Sequence, residues 1–366
     1  MKYYKISSVL LIVFVFTIGF KPVEVEHKKT IKTPKNVILL IGDGMGLTQV
    51  SSSFYFGNES SSFERFKQIG FIKTSSKSHL ITDSAAGATA FSAGIKTYNG
   101  AIGVDQDALS VPLITHKAAQ AKVVTGVIST SSITHATPAS FFAHVKSRNM
   151  QEEIAAQLPG SEIDFFAGAG NDFFFKRKDN LDLGALFSEN GFIVDTVSLQ
   201  KPQNFNLDKK YGYLLAPKHM PKMSEGRGDF LSQATRLGVE YLSQNNQGFF
   251  LMVEGSQIDW GGHANDSEYI VEEVKDFSKV IGEVLDFAEK DGNTLVIVTA
   301  DHETGGYTLA SENGDYNKIK GSFSTGGHSA TLIPVFAYGP GSESFQGIYE
   351  NHAIYHKIIQ LTNWGK

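Results

Sequence analysis

Residues 248–299 read GFFLMVEGSQIDWGGHANDSEYIVEEVKDFSKVIGEVLDFAEKDGNTLVIVT. Two short apolar runs, Gly248–Val253 and Asn293–Thr299, bracket a longer segment with a different period. There Ile270, Val274, Phe277, Ile281, Leu285 and Ala288 recur every three or four residues, the stripe of a helix that buries one face. Gly292 comes next as a C-terminal stop. Strand, helix and strand in this order make a βαβ unit, whose strands run parallel. Three more Val-, Ile- and Phe-rich runs read as buried strands: Asn36–Ile41, Lys122–Ile128 and Leu332–Tyr338. The expected fold is α/β, a doubly wound and mostly parallel central sheet with helices on both faces. Residues 155–240 are rich in Phe and Asn and less regular, and are expected to belong to the same domain with a surface insertion.

The whole chain has 366 residues, and 33 basic against 38 acidic residues give a net charge of −5. That balance offers no basic field for a nucleic-acid backbone. Hydrophobic residues make up 41%, enough to bury a core and to exclude disorder over most of the length. There is no cysteine, so disulfides, thiolate metal sites and cysteine nucleophiles are excluded. At the amino terminus, Lys2 and Lys5 precede an apolar run from Val9 to Phe20. The run is too short to span a bilayer comfortably and fits a secretory signal, with an uncleaved membrane anchor as the alternative because no A-x-A site follows Phe20. Residues 1–25 are therefore expected to be a signal peptide and 26–366 the exported domain, free of the membrane once the signal is cleaved.

The residues just past the strands are chemically unusual. Asp43 comes after the first, between Gly42 and Gly44; Glu254 comes after the run at 248, and Asp301 and His302 after the run at 293. Ligands of open α/β sheets bind at the carboxyl ends of strands, and acids gathered at one edge are hard to explain as packing. In TDSAAGATAFSAG, Ser84 opens a helix of small residues that Asp83 or Thr82 can cap. A serine there meets the positive end of the helix dipole, which favours an alkoxide and a phosphate. In HATPASFFAHVKSR, Thr137 and Pro138 read as N-cap and first helical residue. Arg148 would lie about three turns along that helix, with a fork suited to phosphate, while His144 reads as structural. Asp259 and His263 are one helical turn apart, beside Trp260, and His328 sits in a Gly-rich loop. Four acids with several histidines are too many donors for a single zinc and suit a centre of two or three metals, Zn²⁺ where His and carboxylate combine and Mg²⁺ where oxygens dominate.

In chain order GDGMG, TDSAAGATAFSAG, HATPASFFAHVKSR, FFLMVEGSQIDWGGH, VTADHETGG and GGHSA resemble the alkaline phosphatase family, from about Asn36 to Pro340. The short, cysteine-free chain is similar to cold-active bacterial members. The resemblance implies hydrolysis of a broad range of phosphate monoesters at alkaline pH, with Ser84 as the phosphorylated nucleophile and Arg148 gripping phosphate. It implies a first Zn²⁺ on Asp259, His263 and His328, and a second on Asp43, Asp301, His302 and the Ser84 oxygen. Mg²⁺ would sit on Asp43, Thr137 and Glu254. His135 and Trp260 stand near the site, where the best-known bacterial members carry Asp and Lys. A homodimer is implied by the same resemblance. Two alternatives stay open on the residues alone: a phosphodiesterase of the same fold, and an exported metal- or phosphate-binding protein without turnover. Glycines number 36 and prolines 10, and the arginines are Arg65, Arg148, Arg177, Arg227 and Arg236 alone. Many glycines and few prolines leave much entropy to the unfolded chain, so low heat tolerance is expected. Calorimetry should place the unfolding midpoint below about 75 °C, and a higher value would contradict the reading.

Overall fold

The run NVILLIG forms β1 (Asn36–Gly42), buried along its whole length. The computed structural model, which describes residues 1, 3, 32–57 and 60–365, sets β1 inside a ten-stranded sheet. The other strands are β2 (Gln68–Lys73), β3 (Val124–Ser132), β4 (Phe165–Ala169), β5 (Phe192–Asp195), β6 (Lys210–Leu214), β7 (Phe249–Gly255), β8 (Thr294–Thr299), β9 (Ile333–Tyr338) and β10 (Gly347–Glu350). Their order is β10-β2-β9-β8-β1-β7-β3-β4-β6-β5. Neighbours pair in parallel except where β9 meets β8 and β2. The two strands of the βαβ unit, β7 and β8, are parallel as expected, with β1 inserted between them. The chain leaves β1 toward both edges, the doubly wound arrangement expected from the alternation of strands and helices.

The helix of the βαβ unit runs from Ser267 to Asp291. The side chain of Asp266 accepts N–H bonds from Glu268 and Tyr269, and Gly292 takes φ +67° to end the helix. The six stripe residues are all buried, in a core shared with β1, β7 and β8. Residues 155–240 belong to the same sheet, for they supply β4, β5 and β6 and the helix Phe230–Leu242. Their aromatic residues build a local cluster, with Phe166, Phe187 and Phe192 ring centroids 5.3 to 5.5 Å apart. The excursion that stands off the sheet is instead the exposed hairpin of Thr308–Glu312 and Asp315–Ser322. Residues Lys32–Lys366 form one compact unit. Lys2, Lys5 and the run Val9–Phe20 lie outside the described residues, and among the described residues no helix is long and apolar enough to cross a membrane.

One charged cluster is buried away from the strand ends. Arg227 hydrogen-bonds both oxygens of Glu273 and Oδ2 of Asp276, with none of its side chain exposed. The pairing clamps the loop before the helix Phe230–Leu242 onto the helix Ser267–Asp291. Arg227→Met should cost about 3–5 kcal/mol of unfolding free energy, because two buried carboxylates lose their cation. Urea unfolding of the variant checks this, and a loss under about 1 kcal/mol, the worth of a surface pair, would contradict it.

Candidate active site

The reversed strand β9 explains how distant residues meet. Asp43 leaves the carboxyl end of β1, Glu254 lies in the end of β7, and Asp301 and His302 leave β8. Because β9 runs the other way, its start lies at the same edge, and His328 precedes it in a two-residue strand paired to Glu303–Thr304. The helix Ser84–Ala93 brings the serine to these strand ends. All ten of its residues are buried, and a Cβ on Gly87 would stand 2.9 Å from Cβ of Asp301. Only a helix of small residues comes this close to an acid-bearing strand end. Asp83 is the N-cap, its Oδ1 accepting the Ala86 N–H at 3.0 Å, so Ser84 is the first helical residue and its hydroxyl stays free of capping.

The side chains converge in overlapping groups. Nε2 of His302 lies 3.3 Å from Ser84 Oγ, 3.3 Å from Asp301 Oδ2 and 3.5 Å from Asp43 Oδ1. Three oxygens around one imidazole nitrogen make a coordination environment rather than a simple serine–histidine pair. A second group forms on the helix Gln257–His263, which places Asp259 and His263 one turn apart as expected. Oδ1 of Asp259 lies 3.4 Å from Nε2 of His263 and 3.6 Å from Nε2 of His328, and those two nitrogens are 3.2 Å apart. Nδ1 of His263 faces the Gly326 carbonyl and Nδ1 of His328 the Thr82 carbonyl, each at 2.8 Å. Both rings therefore donate from Nδ1 and turn bare Nε2 atoms toward one point, as metal-binding histidines do. A third group gathers Asp43, His135 and Glu254. Thr137 adjoins Glu254 there.

The electrostatics of this edge call for cations. Both oxygens of Asp43, Oε1 of Glu254, Oδ2 of Asp301, Oγ1 of Thr137 and Nδ1 of His135 are buried without a hydrogen-bond partner. Orphaned acceptors clustered at one spot are costly unless something positive binds them. Burial, and after it the charges of Asp301, Asp259 and Glu254, holds the Asp43 carboxyl well above the usual carboxylate range. Burial pushes Glu254 up to about 7 and raises Asp301. It also drives His302 down to about 3. Carboxylates that resist ionising and imidazoles that resist protonation are a donor set suited to divalent metal ions.

Arg148 and its surroundings depart from the sequence reading. The helix at HATPASFF spans only Ala136–Ala139, with His135 at the N-cap. Thr137 therefore lies inside that single turn and caps nothing, and Arg148 lies well beyond the turn rather than three turns along one helix. The chain bends back after Ala139, which lets Nη1 of Arg148 bond Asp83 Oδ2 at 3.1 Å. Asp83 also accepts the Gly100 N–H at 3.0 Å, so it both caps the serine helix and holds the guanidinium. Its capping was legible in the sequence; its grip on a residue 65 positions away was not. His144 is structural as expected, with Nδ1 against the Gly103 carbonyl at 2.6 Å. Trp260 stands edge-on to His135 at 6.1 Å and to His219 at 4.8 Å between ring centres. His219 completes this aromatic wall, and nothing in its loop sequence, LAPKHM, marks it as part of a site.

The alkaline phosphatase family model matches residues 34–321. Alkaline phosphatase 3 of Bacillus subtilis is 32% identical over an alignment covering 90% of this chain and 89% of that protein. Among solved structures, alkaline phosphatase from the Antarctic bacterium TAB5 is 56% identical with a TM-score of 0.90, covering 92% of this chain and all of that one. A variant of that enzyme with a histidine replaced by aspartate is described with Mg bound in its M3 site, and superposes with a TM-score of 0.89 at 56% identity over 92% of this chain and 100% of that chain. Matches this long and this even along the chain agree with the acid-and-histidine edge, and the chain belongs to the alkaline phosphatase family, whose members hydrolyse phosphate monoesters.

Proposed function

We propose that this phosphomonoesterase works through a phosphoserine on Ser84, with two Zn²⁺ and one Mg²⁺ per chain. The observation that carries the reading is the cluster of buried, unpartnered carboxylate oxygens around Ser84 and His302. Asp259, His263 and His328 would hold the first zinc. Asp43, Asp301, His302 and the Ser84 oxygen would hold the second. Asp43, Thr137 and Glu254 would hold magnesium, with His135 beside them. The Antarctic relative supports a third position, since its aspartate variant is described with magnesium there. Bound zinc supplies Lewis acidity: it lowers the pKa of a coordinated hydroxyl or water and neutralises charge on a departing oxygen.

The chain's own groups then account for the rest. Arg148, held by Asp83, presents its fork to two non-bridging phosphoryl oxygens, and the free N–H groups at the start of the Ser84 helix face a third. Ser84 Oγ gives its proton to solvent and attacks phosphorus in line as the bond to the ester oxygen breaks, and the alcohol leaves with a proton from solvent. Water next attacks the phosphoserine; the P–Oγ bond breaks, inorganic phosphate departs and the serine is restored. Recognition through the phosphoryl group alone makes the leaving-group preference broad. Lys2, Lys5 and the run Val9–Phe20 support export as the cellular setting. We further propose a homodimer, on the family resemblance.

Ser84→Ala should keep two zinc ions per chain by elemental analysis while turnover of p-nitrophenyl phosphate falls about 10³-fold or more. Turnover within threefold of the wild type would refute the nucleophile. Chelation should abolish activity and Zn²⁺ should restore it. A second expectation concerns the metal-free protein. Glu254 is raised from 4.5 to about 7 and Asp43 is raised as well, so the folded state binds more protons than the unfolded one and loses stability as pH rises. His302, lowered from 6.5 to about 3, opposes this trend only below pH 6.5. The melting midpoint of the chelated protein should therefore fall as pH rises from 6.5 through about 7. Added Zn²⁺ and Mg²⁺ should remove the fall; a midpoint flat across that window would contradict it.

A further inference from the structure

Thr304 is fully buried between the two groups assigned above to zinc. Its Oγ1 hydrogen-bonds Oδ1 of Asp259 and lies 3.2 Å from Nδ1 of His302. A hydroxyl has one hydrogen, and a carboxylate can only accept. The hydrogen therefore goes to Asp259, and Oγ1 accepts the Nδ1–H of His302. That fixes His302 as the tautomer with a bare Nε2, the atom that faces Ser84, Asp43 and Asp301. His263 and His328 are fixed differently, each by a separate backbone carbonyl. Thr304 Oγ1 thus bonds at once a carboxylate of the first group and a histidine of the second.

The backbone around this hydroxyl is equally committed. Thr304 N–H donates to the Gly44 carbonyl at 3.1 Å, its own carbonyl accepts from Gln49 Nε2 at 2.9 Å, and the residue pairs opposite His328. A Cβ on Gly44 would stand 2.7 Å from Thr304 Oγ1, and one on Gly262 would stand 2.8 Å from Thr304 Cβ. Two glycines are thus needed to admit this one side chain between the helix Gln257–His263 and the loop after β1.

We infer that Thr304 is a positioning residue that couples the two zinc sites: its hydroxyl orients Asp259 for the first and His302 for the second, so neither site is fully formed without it. The inference rests on the metal reading above. The test compares purified wild type, Thr304→Val and Thr304→Ser, each loaded with zinc. Zinc per chain is counted, and its affinity is measured by competition with chelators of graded strength. Valine should weaken both zinc ions by about tenfold or more, the usual effect of losing a partner of a metal ligand. Serine, which keeps the hydroxyl, should stay within about threefold of the wild type. Three results would overturn the inference: valine holding both ions as tightly as the wild type, valine weakening one ion alone, or serine failing as badly as valine. Should the valine variant not fold, Thr304→Ala removes the same hydroxyl without setting a methyl group against the Asp259 carboxylate and is judged by the same outcomes. A wild type that holds no zinc would overturn the metal reading together with the inference, whereas a zinc-loaded wild type with an unchanged valine variant overturns the inference alone.

Discussion

Mutual repulsion among buried carboxylates is the constraint on which the rest of the molecule depends. Asp43, Glu254, Asp259 and Asp301 are each at most 5% exposed, and their side chains meet at one edge of the sheet. In a low dielectric, like charges this close cannot all ionise without compensation. Asp301 has partial relief from the backbone N–H of Gly44 at 3.2 Å, and Glu254 from the Ser129 hydroxyl. Asp43 has neither, since both of its oxygens are without a partner. Among the described residues it stands in two of the three clusters of metal-binding geometry, which on the proposed metal assignment is the position of a ligand shared between ions.

The scaffold is arranged to tolerate this edge. Between their end residues β1 and β8 are apolar, and both are buried along their lengths, so the sheet is held by packing that the acids do not disturb. The charged residues of the site begin only at the last pairs of the strands or beyond them. Close approach there is bought with glycine. Gly44, at φ +71°, lies where a Cβ would strike Cα of Asp259 at 2.7 Å, and Gly87 makes room for Asp301. The result is repulsion that ions must relieve, which ties the stability of this edge to its chemistry.

Much of this was legible from residue pattern alone. Long apolar runs and a stripe of helical period announce β1, β7, β8 and the helix Ser267–Asp291, because burial on every side leaves a strong signature. Asp43, Glu254 and Asp301 stand out because acids directly after such runs are rare. The failures share one cause. Thr137 before a proline looks like a cap, yet the helix starts a residue earlier and lasts one turn, since tertiary packing overrides a local motif. The spacing puts Arg148 on a continuation of that helix, whereas in the fold it is placed by Asp83, far away in sequence. Thr304 lies inside the motif VTADHETGG, but nothing local assigns its hydroxyl a role, and His219 carries no local signal. Their partners come from other strands and loops, and only the folded sheet puts them side by side.

The wall of His135, His219 and Trp260 bears on the fate of phosphate. Burial pushes His135 well below the ordinary histidine range, with the Arg148 charge adding to it, and burial lowers His219 as well. Both rings are thus neutral at alkaline pH, and the indole of Trp260 carries no charge. Arg148 offers phosphate a formal charge here, and Asp83 already occupies one of its nitrogens. On the proposed mechanism the product is held chiefly by the ions and a half-neutralised arginine. Each added cation in a dry cleft strengthens the grip on phosphate, in the product as in the transition state. A neutral aromatic wall forgoes part of that grip, and so favours release of the product over its retention.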